Sequence, residues 1–518
     1  MRRAVEAIAS RKEHRPVRLT APISKDRTKV VIRPASSRSW TDVPPDVAQH
    51  SGHDADIGEA LEDSTLDHPP MRAPPVHLIA RSNHRVGQED PRDDCRLRRE
   101  RHHKAADDER CSARSGEAGP PVGSSVMGAD ALVPPSYHDA CLTEVMPSAL
   151  AALGLEGFEN PLRVPDVERI AVLLVDGLGW RQLRRHADVA PFLTAVAEGS
   201  AGTGRPISTP FPSTTVTSLA SIGTGLPPGA HGLVGYAFRV PGHDDRVMNA
   251  LRWQLYGQGP QVGLGAELPP ATFQPFATMF EQARSGGVDV CLAGPEHLGD
   301  APLTRAVLRG GRYENAHSLG DLTAVVSREL DAPGRRFVYA YHANLDTTGH
   351  VRGADSEAWR LELGHVDRLA SDITQRLSPG AALLVSADHG MVDVPEERRL
   401  DLADRPELAT GVQMLGGEGR ARHIYVEPGA ESDVAGAWQE ALSDGAWVGS
   451  RDQAIGMGWF GPDVRDEVRS RIGDIVMAAS EPVGVFQRLV DPVQARLLGH
   501  HGSLTPDEAL VPFLLILS

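Results

Sequence analysis

The sequence predicts an α/β fold with a mostly parallel central sheet sandwiched between helices. Three observations carry the prediction. From about residue 130 onward, short apolar runs of buried-strand type alternate with amphipathic helical stretches. Several of these runs stop at an acidic residue followed by a turn, the usual geometry of a ligand site beyond the carboxyl ends of parallel strands. The chain has 518 residues, enough for a large core or for several domains.

Residues 1 to about 125 have a different character. They are rich in Arg, His, Asp, Pro and Ser, as in "PRDDCRLRRERHHKAADDERCSARSGEAGPP", and their apolar periodicity is poor. Such a composition cannot bury enough apolar surface to offset chain entropy. It reads as a disordered extension. The abrupt change of composition suggests that translation starts at Met127, which N-terminal mass analysis of the native protein tests. A basic, His-bearing interaction arm is the functional alternative.

The elements of the folded part follow in order. "RIAVLLVDGLG" gives a strand, Ile170 to Val175, that ends at Asp176 and a Gly-bearing turn. "FPSTTVTSLASIGTG", Phe211 to Gly225, reads as the start of a helix after a Pro-bearing turn and carries seven hydroxyls. Residues about 235–330 are mixed and Gly-rich, which suits a cap or lid with further sheet elements inside. "RRFVYAYHANLD" is a strand ending near Asp346, and "AALLVSADHG" is another, Ala382 to Ser386, ending at Asp388 and His389. "ARHIYVEPG" is a fourth candidate, and "ALVPFLLILS" closes the chain as a last strand. There are no internal repeats.

Composition excludes several classes. The formal charge of −16 argues against a nucleic-acid-binding surface, which needs basic residues to neutralise phosphates. It leaves room for a small anionic substrate held by metal ions. The four cysteines, Cys95, Cys111, Cys141 and Cys291, are widely spaced and form no CxxC pair, so neither a disulfide framework nor a thiolate zinc site is indicated. No apolar run approaches the roughly 20 residues that span a bilayer. The N-terminus lacks an apolar secretory core. A cytoplasmic protein without membrane partners is expected.

Asp176, Asp346 and Asp388 should converge on one sheet edge. A single Asp after a strand serves more often as a helix cap; three of them, two accompanied by His, point to a ligand set. In "NLDTTGHVRG", Asp346 and His350 lie at i and i+4, one face of a helix, and Gly349 between them indicates close packing or a bend. Asp388 and His389 meet at a strand end in "SADHGM". His500 and His501 lie in "GHHGS", where flanking glycines allow close backbone approach. Asp176, Asp346, His350, Asp388, His389 and a loop His make six N/O ligands. That is enough for two divalent ions with open positions, a donor mixture that suits catalytic Zn2+, with Mn2+ as a substitute.

In motif order the chain resembles the alkaline phosphatase superfamily, and within it the type I phosphodiesterase/nucleotide pyrophosphatase family. The resemblance covers roughly residues 165–518: "LLVDGLG", the hydroxyl-rich helix start, "NLDTTGH", "ADHGM" and "HHG". It implies an alkaline-phosphatase-like catalytic domain over residues 130–518. Set without a gap against the family's Y-P-T-K-T-F-P-N pattern, "FPSTTVTS" puts the family's nucleophilic Thr on Thr215, with Ser213 and Thr214 left to turn and capping roles. Val216, Thr217 and Ser218 replace the last three residues of that signature. The family's Asn after H-G falls on Tyr236, and Asn344 and Leu345 replace the Glu-Pro before the ligand Asp. By the same resemblance, Asp346, His350 and His501 hold one ion, and Asp176, Asp388, His389 and Thr215 the other. The choice of His501 over His500 rests on its place directly before Gly502.

The implied activity is metal-dependent hydrolysis of phosphate esters, diesters before monoesters, through a phosphothreonine on Thr215. The substrate is then a small phosphate ester, with a nucleotide among the candidates. Three alternatives stand beside it: a phosphomonoesterase, a phosphomutase of the same superfamily, and a metal-binding module that recognises phosphorylated partners without catalysis. A sulfatase is disfavoured because no Cys lies near residue 215.

Overall fold

The apolar run at Ile170 becomes β1 (Arg169–Val175), and all but its first residue are buried. A strand covered on both faces needs no polar alternation, which is why it reads as one continuous apolar stretch. The computed structural model describes residues 132–518; the expected extension over 1–125, with Met127, lies outside the described residues. The further strands are β2 (Thr203–Ser208), β3 (Ala237–Val240), β4 (His243–Asn249), β5 (Gln254–Tyr256), β6 (Asp289–Gly294), β7 (Arg312–Asn315), β8 (Arg336–His342) and β9 (Ala381–Ser386). Then come β10 (Val392–Asp393), β11 (Arg399–Asp401), β12 (Val412–Glu418), β13 (Ala421–Val426), β14 (Ala446–Ser450), β15 (Ile475–Ala479), β16 (Gly484–Phe486), β17 (Gly499–His500) and β18 (Leu510–Leu517).

Seven strands form the central sheet in the order β2-β18-β9-β1-β8-β6-β7. From β9 to β7 every neighbour is parallel, and β18 lies antiparallel between β2 and β9. The strand read from "ALVPFLLILS" is thus an interior strand of opposite direction. The one read from "ARHIYVEPG" is β13, in a separate antiparallel sheet of order β12-β13-β15-β14. Within residues 235–330, β3, β4 and β5 form a small sheet of their own, whereas β6 and β7 belong to the central sheet.

Helices flank the central sheet. One group comprises α1 (Val145–Ala152), α3 (Thr215–Thr224) and α4 (Met279–Ser285); another comprises α2 (Pro191–Ala197), α5 (Leu319–Asp331) and α7 (Glu357–Thr374). The long helix α7 shows why such segments fold as they do. Ser356 caps it by accepting from the Trp359 N–H at 3.2 Å, and Trp359, Leu363, Val366, Ala370 and Ile373 form a buried stripe at helical spacing. Between β8 and α7 lies α6 (Asn344–Arg352).

The second sheet packs on α8 (Glu431–Ala441) around Trp438, whose indole N–H donates to the Leu408 carbonyl at 3.0 Å. Its β12–β13 hairpin is tied to the catalytic side by one buried ion pair. Arg420 in the hairpin meets Glu508 in α9 (Pro506–Ala509) through two bonds, Nη2–Oε2 at 2.6 Å and Nε–Oε1 at 3.0 Å, with both side chains fully buried.

Candidate active site

Asp176 follows β1 directly. The next residue, Gly177, has φ +75°, and a Cβ there would stand 2.9 Å from both Cα and Cβ of Asp346. Only glycine lets α6 close onto the end of β1 in this way. The Gly177 N–H also donates to Asp388 Oδ1 at 3.1 Å, so one turn links all three acidic residues. Asp346 itself is not at a strand end: β8 stops at His342, and Asp346 sits in the first turn of α6. His350 lies one turn further on, its Nε2 3.3 Å from Asp346 Oδ1. Gly349 between them is closely packed, since a Cβ there would meet Met391 Sδ at 2.4 Å.

The sequence-predicted residues come together. Ligand-sized distances, under 4.8 Å between donor atoms, group Asp346 with His350 and His501, and Asp176 with Asp346 and His389. Asp346 stands in both groups. Asp388 adjoins the second, its Oδ2 3.4 Å from His389 Nε2. His501, not His500, joins a group; His500 Nε2 bonds to the Leu497 carbonyl and its ring packs on Phe486.

The three grouped histidines share one arrangement. Nδ1 of His350, His389 and His501 faces the carbonyl of Gly499, Gly390 and Ser213 at 2.8, 3.0 and 3.0 Å. A carbonyl only accepts, so each Nδ1 carries a proton, and in the neutral ring each Nε2 presents a lone pair. This is the tautomer a metal ligand needs.

The carboxylates fit the same purpose. Asp176 Oδ1, Asp346 Oδ1 and Asp388 Oδ2 are buried and have no hydrogen-bond donor. Burial raises the Asp176 carboxyl well above its usual range, and the charges of Asp388 and Asp346 push it further. Burial likewise raises Asp346. Buried anions are tolerated when paired or coordinated. Unpartnered carboxylate oxygens facing imidazole lone pairs form a donor set for divalent cations.

Among the hydroxyls of the opening helix, most are committed to the scaffold. Ser213 Oγ donates to the Ser503 carbonyl at 2.6 Å, Ser218 Oγ to the Asp388 carbonyl at 2.7 Å, and Thr224 Oγ1 to the Ala220 carbonyl at 2.6 Å. Thr214 stands at the cap position but makes no side-chain cap bond; its hydroxyl faces Glu418 across a shared cavity instead. Thr215, the first residue of α3, places Oγ1 3.2 Å from His389 Nε2. With His389 neutral and its proton on Nδ1, that nitrogen accepts and the hydroxyl donates.

Two neighbours were not visible in the sequence. Tyr341 donates its hydroxyl to Asp176 Oδ2. Glu418, at the end of β12, enters from the second sheet, and burial pushes its carboxyl up to about 7, opposed by the Thr214 hydroxyl. Neither sits in a motif; only the alternation of a strand end, too common to single out, marks them. A cavity of about 420 Å3 opens over the site, lined by Thr215, Tyr236, Asp346, Glu418 and His501 among others.

Comparison with known proteins now decides the family. The family model of type I phosphodiesterase/nucleotide pyrophosphatase matches residues 170–504. The chain belongs to this family. The type I phosphodiesterases are divalent-metal-dependent phosphoric ester hydrolases, and the protein is an enzyme of that class. Among solved structures, murine ectonucleotide pyrophosphatase/phosphodiesterase 5 is 18% identical with a TM-score of 0.51, over 67% of this chain and 88% of that one. An inactive form of the murine protein in complex with AMP matches at the same identity and TM-score, over 67% and 87%. Phosphonoacetate hydrolase from Sinorhizobium meliloti in complex with phosphonoformate is 20% identical with a TM-score of 0.50, over 68% and 90%. At these identities the likeness is one of fold. No curated protein matches the chain. Among the described residues, no helix is long and apolar enough to cross a membrane.

Proposed function

We propose that this phosphodiesterase-family protein hydrolyses small phosphodiesters of nucleotide type with Thr215 as nucleophile and two divalent ions, Zn2+ with Mn2+ as a substitute. The observation that carries the reading is the 3.2 Å approach of Thr215 Oγ1 to His389 Nε2, at the wall of the cavity that Thr215 lines together with Asp346, His350 and His501. Asp346, His350 and His501 would hold one ion; Asp176, Asp388 and His389, with Thr215, the other. When bound, such ions neutralise charge on the phosphoryl oxygens and acidify a coordinated hydroxyl.

The chain's own residues then do the following. Thr215 Oγ1 bonds to phosphorus, the P–O bond to the leaving alcohol breaks, and the threonine proton passes by way of solvent to the departing oxygen. First-turn N–H groups of α3, which Thr214 leaves uncapped, favour the phosphoryl oxygens together with the helix dipole. A water oxygen next bonds to phosphorus, the P–O bond to Thr215 breaks, and the hydroxyl regains a proton. The small sheet β3–β5, adjoining Tyr236, serves as the lid over the cavity. The inactive murine neighbour's capture with AMP supports a nucleotide-sized ester. A cytoplasmic setting accords with Cys141 and Cys291, which are buried free thiols.

The test is metal analysis with hydrolysis of bis-p-nitrophenyl phosphate by the wild type and Thr215→Ala. The variant should keep its metal and lose at least about a thousandfold in kcat. Full activity in the variant removes Thr215 from the mechanism.

A further inference from the structure

The second sheet delivers one carboxylate that none of the ligand groups uses. Glu418 ends β12, and the hairpin turns directly after it, at Gly419 and the buried Arg420. The Glu418 side chain is 11% exposed, and Oε1 is buried without a hydrogen-bond donor. Oε1 lies 3.8 Å from His501 Nδ1, but that proton goes to the Ser213 carbonyl. Glu418 lines the reaction cavity together with Thr214 and the adjacent Thr215. His389 and the buried Arg422 of β13 offset part of its charge from a distance.

A buried carboxylate oxygen without a hydrogen-bond donor is a costly structural element, and a neutral side chain would stand there at lower cost. Its charge therefore calls for a role. The same cavity is lined by Asp346 and Asp491 as well, with Arg252 as its arginine. A phosphomonoester carries close to two negative charges above its second pKa of about 6, whereas a diester carries one. Repulsion from a fixed carboxylate grows in proportion to substrate charge and is strong where water is excluded.

We propose that Glu418 is a specificity-determining residue that disfavours dianionic monoesters and so reserves the site for monoanionic diesters. The inference rests on the phosphodiesterase reading given above. It is tested by kcat/KM for bis-p-nitrophenyl phosphate and p-nitrophenyl phosphate, in wild type and Glu418→Gln, with bound metal measured. Gln keeps an acceptor facing Thr214 and removes only the charge. At about pH 8.5 the diester-to-monoester ratio should fall about tenfold in the variant, through a gain on the monoester. A ratio that moves less than about threefold, or a parallel loss of both activities, overturns the proposal. Glu418→Ala serves the same comparison if the Gln variant does not fold. If neither folds, wild-type inhibition decides: the monomethyl ester of phenylphosphonate must bind more tightly than phenylphosphonate itself, and the reverse order overturns the proposal. Absence of metal-dependent hydrolysis of either ester by the wild type would instead remove the underlying reading, so the two failures are distinct.

Discussion

His389 and His501 stack face to face, their ring centroids 3.5 Å apart and their planes 12° from parallel. The rings come from loops far apart in the chain and belong to different ligand groups. Two imidazolium rings would repel at this distance, so at least one ring of the pair is neutral; against burial, Asp388 and Asp346 raise the His389 pKa. Burial, with His389 and His350 nearby, lowers the His501 pKa well below its usual value. The stack thus keeps the His501 lone pair available beside His389, whose proton on Nε2 a divalent cation would displace.

Chelation follows from this. Removing divalent ions should abolish hydrolysis of bis-p-nitrophenyl phosphate, and adding Zn2+ or Mn2+ should restore it. The loaded protein should also be more stable, by about 4 kcal/mol when free metal exceeds its dissociation constant a thousandfold. Thermal unfolding with and without chelator measures the difference.

Asp176→Asn should separate the fold from the site. Asn keeps an acceptor for the Tyr341 hydroxyl and removes a charge repelled by Asp388 and Asp346. In the chelated state the variant should be more stable than the wild type by about 1 kcal/mol, whereas added metal should stabilise it less. Urea unfolding in both states reads out the crossover; a variant that is less stable in both states contradicts it.

Gly177→Ala should disturb metal binding, because the new Cβ collides with the backbone of Asp346. We expect a loss of about 2 kcal/mol in stability and a weaker metal affinity by titration. Gly154→Ala is the control: Gly154 also has φ +75° but nothing lies within 4 Å of its Cβ position. It should cost about 1–2 kcal/mol from backbone strain alone and leave metal affinity unchanged.

Glu508→Gln should destabilise the protein by about 3–5 kcal/mol, because Arg420 would be left charged and buried. Glu508 also accepts from the Ser503 N–H at 3.1 Å, so the loop carrying His501 should loosen and metal affinity should fall. The double variant Arg420→Met, Glu508→Leu should recover much of the stability. Calorimetry of the single and double variants checks both statements.

The sequence was informative where burial leaves a local mark. β1 and β9 are continuous apolar runs because both faces are covered, and the residues that follow them stand where ligands gather. Asp346 was found through its i+4 partner His350, although the strand before it ends four residues earlier than the apolar run suggested. Strand direction left no mark: nothing in "ALVPFLLILS" distinguishes an antiparallel interior strand from a parallel one. Glu418 was hidden for another reason. Its place at the site depends on the β12–β13 hairpin folding back against the His501 loop, a long-range contact with no local period. Thr214 looked like a helix cap because Thr prefers that position, and the carboxylate that its hydroxyl faces lies two hundred residues away in the chain.

The position of β18 bears on how the molecule is made. Synthesis lays down β9, β1, β8, β6 and β7, a contiguous parallel block, before the strand that seals the outer edge of β9 exists. β2, made early, has no ladder partner until Leu510–Leu515 emerge to meet Thr203–Ser208. The nascent chain therefore carries an open, apolar sheet edge through most of translation, and yield in the cell will depend on chaperones that shield this edge until β18 is inserted.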